Sequence, residues 1–372
     1  MDFELNEEQA MLREVSRSML KNHSTTEQVR VLADAGSDVD DKLWQLASEL
    51  GWTGLALPER FGGSDQGVAE LCLVSEELGR SVTPGPFLTT ALVGLAVSRD
   101  GDEELRQAVL PDLASGAARA SWALAEPGGA WTPESVTVTA TADGEGYLLS
   151  GAKTAVQDAG TATWLLVTAL LDGAPASLLV DASAAGVSTR RQTVLDMTRG
   201  LYEVTLDNVA VPASHLLGGG AERVRWLADV AAVLTSADAL GVGERLLEMT
   251  VDYVKVRHQF DRPIGSFQAV KHKCANMLIL AQGARAATYY AAMALDADRP
   301  DASRAASVAK SFSSEGMSQL AGEALQTHGG IGFTWEHDLH LYLRRAKTDE
   351  ALYGDSPAHQ QRLTDLLLAA RA

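Results

Sequence analysis

The stretch RHQFDRPIGSFQAVKH, residues 257–272, gathers a guanidinium, an aromatic ring and a primary amide around one Pro-Ile-Gly turn. Arg257 can present a planar fork of donors to a pyrophosphate. Phe260 offers an apolar face to a ring, and Gln268 supplies an amide donor and acceptor. Further on, QTHGGIGF at 326–333 sets Gln326 beside Gly329, Gly330 and Gly332. Glycines there let backbone N–H groups approach a phosphate closely. Either motif alone suits a turn between helices. In this order the two suit a ligand with a phosphate-bearing end.

A third stretch, AKTDEALYGDSP at 346–357, carries three acids and a tyrosine, and raises the question of a catalytic base. Asp349 and Glu350 fall where a helix should still be running and are expected to face solvent. Asp355 lies just beyond Tyr353 and Gly354. His337 and His340 are three apart but lack an evident third ligand, so no metal site is expected. His258, His272 and His328 are scattered over turns and helix ends, His328 beside the glycines. Arg344 and Arg345 read as a solvated face or as salt-bridge donors.

The elements that must position these groups fall into three blocks. Residues 1–117 read as amphipathic helices, with Asn6 as the N-cap of the first. Residues 118–218 alternate every two residues, and SVTVTATADGEGYLLSGAK turns at Asp143–Gly146 as a hairpin. Residues 219–372 return to the helical period in long runs near Val224–Val256, Phe267–Leu295 and Ala302–Gln326, which suggests an antiparallel bundle. Net charge is −18, which argues against a nucleic-acid or acidic-membrane binder. Two cysteines, Cys72 and Cys274, make no disulfide framework. The acidic, amphipathic MDFELNEEQAMLREV is neither a signal peptide nor a span, so a cytoplasmic protein without membrane insertion is expected.

With the α–β–α layout, the motifs WALAEPGG (122–129), RxxFxxPIGxFQ and QxxGGxGF make the chain closely resemble the acyl-CoA dehydrogenase family over nearly its whole length. The resemblance implies a mainly α fold with a central β domain: N-terminal helices, a middle β-barrel or sandwich, and a C-terminal four-helix bundle. It implies FAD as cofactor, an acyl-CoA substrate and an electron-accepting partner protein. Arg257, Phe260, Gln268, Gln326, Gly329 and Gly330 match the family residues that hold the ADP half of FAD, in tetrameric members that of the neighbouring subunit. The flavin-ring positions depart from the pattern. Ala125 replaces a threonine, Ala155 the ring-stacking tryptophan, and Gln157 the hydroxyl near flavin N5. Losing the stacking wall forfeits about 0.5–1.5 kcal/mol beyond area burial.

The family's proton-abstracting glutamate is missing as well. Its usual position, six residues after Lys347, is Tyr353; its minority position is Ala231, with Ala232 where an arginine is often found. A phenol of ordinary pKa ~10 is only about 0.1% ionised at pH 7. Asp355 and Glu350 are weaker candidates for a relocated base, and Asp229 matches a scaffold position. The expectation is a subunit of a heteromeric acyl-CoA dehydrogenase that lacks a base of its own. It would act with a second dehydrogenase-like chain on sterol side-chain or other bulky acyl-CoA. A homomeric enzyme with a relocated base, and a structural or non-dehydrogenating flavin-binding relative, remain open.

Overall fold

The computed structural model describes residues 4–369; residues 1–3 and 370–372, the extremes of the first and third blocks, lie outside the described residues. Six helices come first: α1 (Glu7–His23), α2 (Thr26–Asp34), α3 (Asp41–Glu49), α4 (Val68–Arg80), α5 (Phe87–Asp100) and α6 (Glu103–Ala114). Asn6 caps α1 through a reciprocal box with Gln9, as its side-chain oxygen requires.

Eight strands follow: β1 (Ala120–Ala123), β2 (Thr139–Asp143), β3 (Gly146–Gln157), β4 (Trp164–Leu171), β5 (Ala174–Asp181), β6 (Val187–Arg191), β7 (Leu201–Pro212) and β8 (Leu216–Leu217). They form one sheet in the order β6-β7-β3-β2-β4-β5-β8, with β1 pairing parallel to β4. β2 and β3 make the expected hairpin. Alternate residues of these strands, among them Leu149, Leu165, Val167, Leu178, Val204 and Leu206, enter one apolar interior.

The rest is helical: α7 (Gly220–Val256), a short hairpin of β9 (His258–Gln259) and β10 (Arg262–Pro263), α8 (Gln268–Asp296), α9 (Ala302–His328), α10 (Leu339–Ala351) and α11 (Ser356–Ala369). α7 is apolar and long enough to cross a membrane, but 89% of its apolar window is buried inside the protein, so it is a core helix. Two glycines let α4 cross it closely. A Cβ at Gly79 would stand 2.0 Å from the Asp238 carbonyl oxygen, and one at Gly241 would stand 1.8 Å from that of Glu76. This crossing sets Asp238 deep in the molecule, where α10 and the sheet region also meet.

Candidate functional site

The nucleotide-type motifs lie together at one end of the bundle. α7 ends at Arg257, and the β9–β10 turn holds Phe260 and Asp261 at φ 54° and 61°. That left-handed turn pushes Phe260 outward until it is 85% exposed. Phe267 meets it edge-on at 6.2 Å, and the Arg262 guanidinium lies 4.0 Å over the Phe267 ring. Gln268 opens α8 and Gln326 lies in the last turn of α9. The side chains of Arg257, Gln268 and Gln326 have no polar partner within the described chain. Gly329 and Gly330 face open space, and Gly329 turns at φ 62°. Behind them His328 is buried, stacked on Tyr253 at 4.5 Å and bonded through Nδ1 to the Ala324 carbonyl. Burial lowers its pKa.

The ring-type positions form the opposite kind of place. Tyr353 follows α10 and is held at φ 57° before Gly354 at φ 100°. That turn is fastened from behind. The Lys310 ammonium donates to the carbonyls of Asp349 (2.7 Å) and Glu350 (3.1 Å) and to Ser314 (2.7 Å). His359 bonds the Tyr353 carbonyl at 3.0 Å. Burial brings the Lys310 pKa down to about 7 and that of His359 to about 4.

The Tyr353 ring is 6% exposed and stacks on Trp122 of β1 at 6.1 Å, with Trp131 against it at 4.9 Å. Its hydroxyl accepts a 2.8 Å bond from Gln157 Nε2. Gln157 Oε1 accepts from Arg199 at 3.0 Å, and its backbone carbonyl accepts from the Ser121 hydroxyl. Burial raises the Tyr353 pKa. Ala155 sits at φ 50° in a bulge of β3, and its N–H is taken by Gln192 Oε1 at 3.1 Å. Ala125 is buried, its carbonyl bonded by the Thr154 N–H. The loop carrying Trp131 is tied down by Glu126, which accepts from Lys153 (2.7 Å), Val138 N–H (3.0 Å) and Thr137 N–H (2.7 Å). Burial draws Lys153 down to about 8, and Lys153 and Thr137 hold Glu126 below the usual carboxylate range against its own burial.

Asp349 does not face solvent as expected. It is fully buried and accepts a 2.6 Å bond from Arg199. The reason is tertiary: the strand-connecting segment before β7 delivers Arg199 to this face of α10, and α7 delivers Asp238. Burial and the Asp238 charge push the Asp349 pKa well up. Arg345 is the salt-bridge donor and not a solvated face: it grips both oxygens of Asp238 at 2.9 Å each. Despite burial, Arg345 and Arg199 hold Asp238 down to about 2. Arg344 bonds the Leu195 carbonyl at 3.3 Å.

The other acids are committed elsewhere. Glu350 accepts from Ser318 (2.7 Å) and Lys347 (2.9 Å). Asp355 is exposed and caps α11 through the Ala358 N–H at 3.0 Å. Asp229 is buried between Ser303 and Arg362. Ala231 lies inside α7 with no acid in its place. Among the described residues, no group of three or more His, Cys, Asp or Glu could hold a metal ion. Sequence reasoning missed Arg199, Gln192, Trp131, Lys310 and Asp158. Asp158 is buried at φ 58°, and burial together with the Asp38 charge lifts its pKa to about 7. Of these residues only Lys310 lies in a periodic run, and each acquires decisive neighbours from segments far along the chain.

Comparison with known proteins covers nearly the whole chain. Residues 6–117, 121–209 and 218–366 match the N-terminal, middle and C-terminal domains of acyl-CoA dehydrogenase. A curated relative, acyl-CoA dehydrogenase IpdE2 of Mycolicibacterium smegmatis, is 33% identical over 361 residues, covering 96% of this chain and 98% of the relative. Among solved structures, the ChsE4–ChsE5 complex from Mycobacterium tuberculosis superposes with a TM-score of 0.93 at 30% identity, covering 99% of each chain. A single-residue variant of the Tcur3481–Tcur3483 steroid ACAD gives 0.91 at 34% identity, covering 98% of this chain and 99% of that one.

Proposed function

Since the chain belongs to the acyl-CoA dehydrogenase family of FAD-dependent oxidoreductases, we propose that it is the subunit without a base in a cytoplasmic heteromeric dehydrogenase. In this reading a second dehydrogenase-like chain performs the α,β-desaturation of an acyl-CoA thioester. The observation that carries it is Tyr353: the family's usual base position holds a buried phenol hydrogen-bonded to Gln157, and Ala231 leaves the other position without an acid. Burial moves this phenol's pKa away from neutrality, so it is a poor proton acceptor.

The residues present fit one half of FAD and not the other. The side chains of Arg257, Gln268 and Gln326 have no polar partner among the described residues, Phe260 is exposed, and Gly329 and Gly330 leave their backbone open. Together they would hold the nucleotide half of a partner's FAD. The Ala125 carbonyl, the Ala155 N–H and the Gln157 side chain are already paired within the chain. FAD, when bound, supplies the acceptor for the hydride leaving the acyl β-carbon. This chain's part is to grip the cofactor's phosphate end and to complete the assembly.

The likeness to ChsE4–ChsE5 and to a steroid dehydrogenase supports a two-chain complex acting on a bulky, sterol-derived acyl-CoA, with electrons passed to an acceptor protein. The native complex, purified through a tag on this chain, should contain a second dehydrogenase-like chain and half as many FAD molecules as chains. One FAD on every chain, or turnover of an acyl-CoA by this chain alone, would sink the reading.

A further inference from the structure

Three segments of the sheet region converge on two residues of the bundle. β1 brings Trp122, the end of β3 brings Gln157, and the segment before β7 brings Arg199. They meet Asp349, near the end of α10, and Tyr353, just after it. No polar atom of the Gln157 side chain is left idle: Nε2 donates to Tyr353, and Oε1 accepts from Arg199. Arg199 then reaches Asp349 at 2.6 Å and Asp238 at 3.2 Å. Trp131 packs against the Tyr353 ring, on a loop anchored by the buried Glu126–Lys153 pair. Gln192 takes the one backbone donor that Ala155 offers.

We propose that this aromatic and polar clasp occupies the flavin-ring position of the chain with its own side chains and joins sheet to bundle there in place of a cofactor. It rests on the assignment of Ala125, Ala155 and Gln157 as ring positions, not on the identity of any partner. A planar ring would need a face to lie on and hydrogen-bond partners at its edge. Here Trp122 already presents its face to Tyr353, and the edge partners Gln157 and Ala155 N–H are bonded within the chain. Admitting a flavin would break these bonds and take from the buried Arg199 its acceptor Gln157 Oε1, leaving desolvated polar groups unpaired. The chain should therefore fold, and bridge its two regions, with no flavin of its own.

The test uses the full chain, alone and in its native complex. Wild-type chain should show no change in melting temperature, and no quenching of flavin fluorescence, with excess riboflavin, which lacks the nucleotide end that Arg257 would hold. The double variant Trp131→Gly with Tyr353→Gly opens ring-sized space while easing the backbone, because glycine accepts φ 57° without strain. It should melt lower by about 3 °C or more. Part of that loss should return with millimolar lumichrome or riboflavin, planar probes of the opened space. Simple loss of packing would lower the melting temperature without any probe-dependent recovery, and that result would overturn the clasp. Uptake of riboflavin by the wild-type chain alone would overturn it too. If the opened variant shows no recovery in a complex with one FAD per two chains, the clasp alone fails. If the variant recovers with probe but no second chain or FAD accompanies the wild type, the subunit reading alone fails.

Discussion

The turn region at 257–268 and 326–333 and the closed region around Tyr353 both hold proposed cofactor-contacting positions of the family, yet they treat their polar groups in opposite ways. In the first, Arg257, Gln268 and Gln326 have no polar partner within the described chain, and Phe260 stands in solvent. In the second, Gln157, Arg199 and Tyr353 are buried and bonded to one another. A group can recognise an outside ligand only while the chain leaves it unspent, since a buried, satisfied group must first be unpaired at a cost of about 1–3 kcal/mol. Substitutions in the closed region should therefore change stability, and substitutions in the open region should change cofactor retention.

The largest effect expected is from Arg199→Met. It breaks the buried pair with Asp238 and removes the hydrogen bonds to Asp349 and Gln157, and should cost about 3–5 kcal/mol by denaturant titration, the usual cost of breaking a buried ion pair. A loss under about 1 kcal/mol would mean that the closed region is not held by these charges. Next is Arg257→Ala, which should weaken FAD retention in the complex by roughly 1.5–3 kcal/mol, the range for hydrogen bonds to charged groups. The melting temperature of the isolated chain should not move, because the guanidinium has no polar partner among the described residues. A shift there would erase the contrast between the regions.

Asp158→Asn sharpens the closed side through pH. The folded pKa of Asp158 lies at about 7, above the ordinary 3.8. Between those values the folded chain keeps a proton that the unfolded chain has released, so this group's contribution is whole below pH 3.8 and is lost as pH rises to about 7. Asparagine cannot ionise and tolerates the left-handed φ. The variant should be more stable than wild type by on the order of 2 kcal/mol near neutral pH, less in mild acid, and equal below the ordinary carboxylate pKa. A gain independent of pH would point to the backbone instead. Smallest is Tyr353→Phe, which keeps the stack and loses the bond from Gln157, costing about 1 kcal/mol. Turnover of the complex should stay near wild type; a large fall would show that the phenol takes part in chemistry.

Much of this was legible in the residue order, and the exceptions share a cause. The long helices begin and end within a few residues of the periodic runs, and Asn6 caps where its oxygen can reach Gln9. The β2–β3 hairpin turns where Gly144 allows φ 59°. Residue order misplaces Asp349, and leaves Arg345 between a solvated face and a salt-bridge donor, because a helix position read alone shows its own face and not what packs against it. Their partners Arg199 and Asp238 lie more than a hundred residues away.

By itself the sequence determined the three-part layout, the family, the phosphate-end motifs and the absence of a glutamate at positions 353 and 231. These depend on local propensity, hydrophobic period and residue identity, all of which act over short spans of chain. Only the tertiary structure decided that Trp131, Tyr353, Gln157 and Arg199 close on one another, and that the side chains of Arg257, Gln268 and Gln326 find no polar partner among the described residues. Burial and pairing are properties of groups brought together from distant segments, and desolvation sets their energies only once the chain has folded around them.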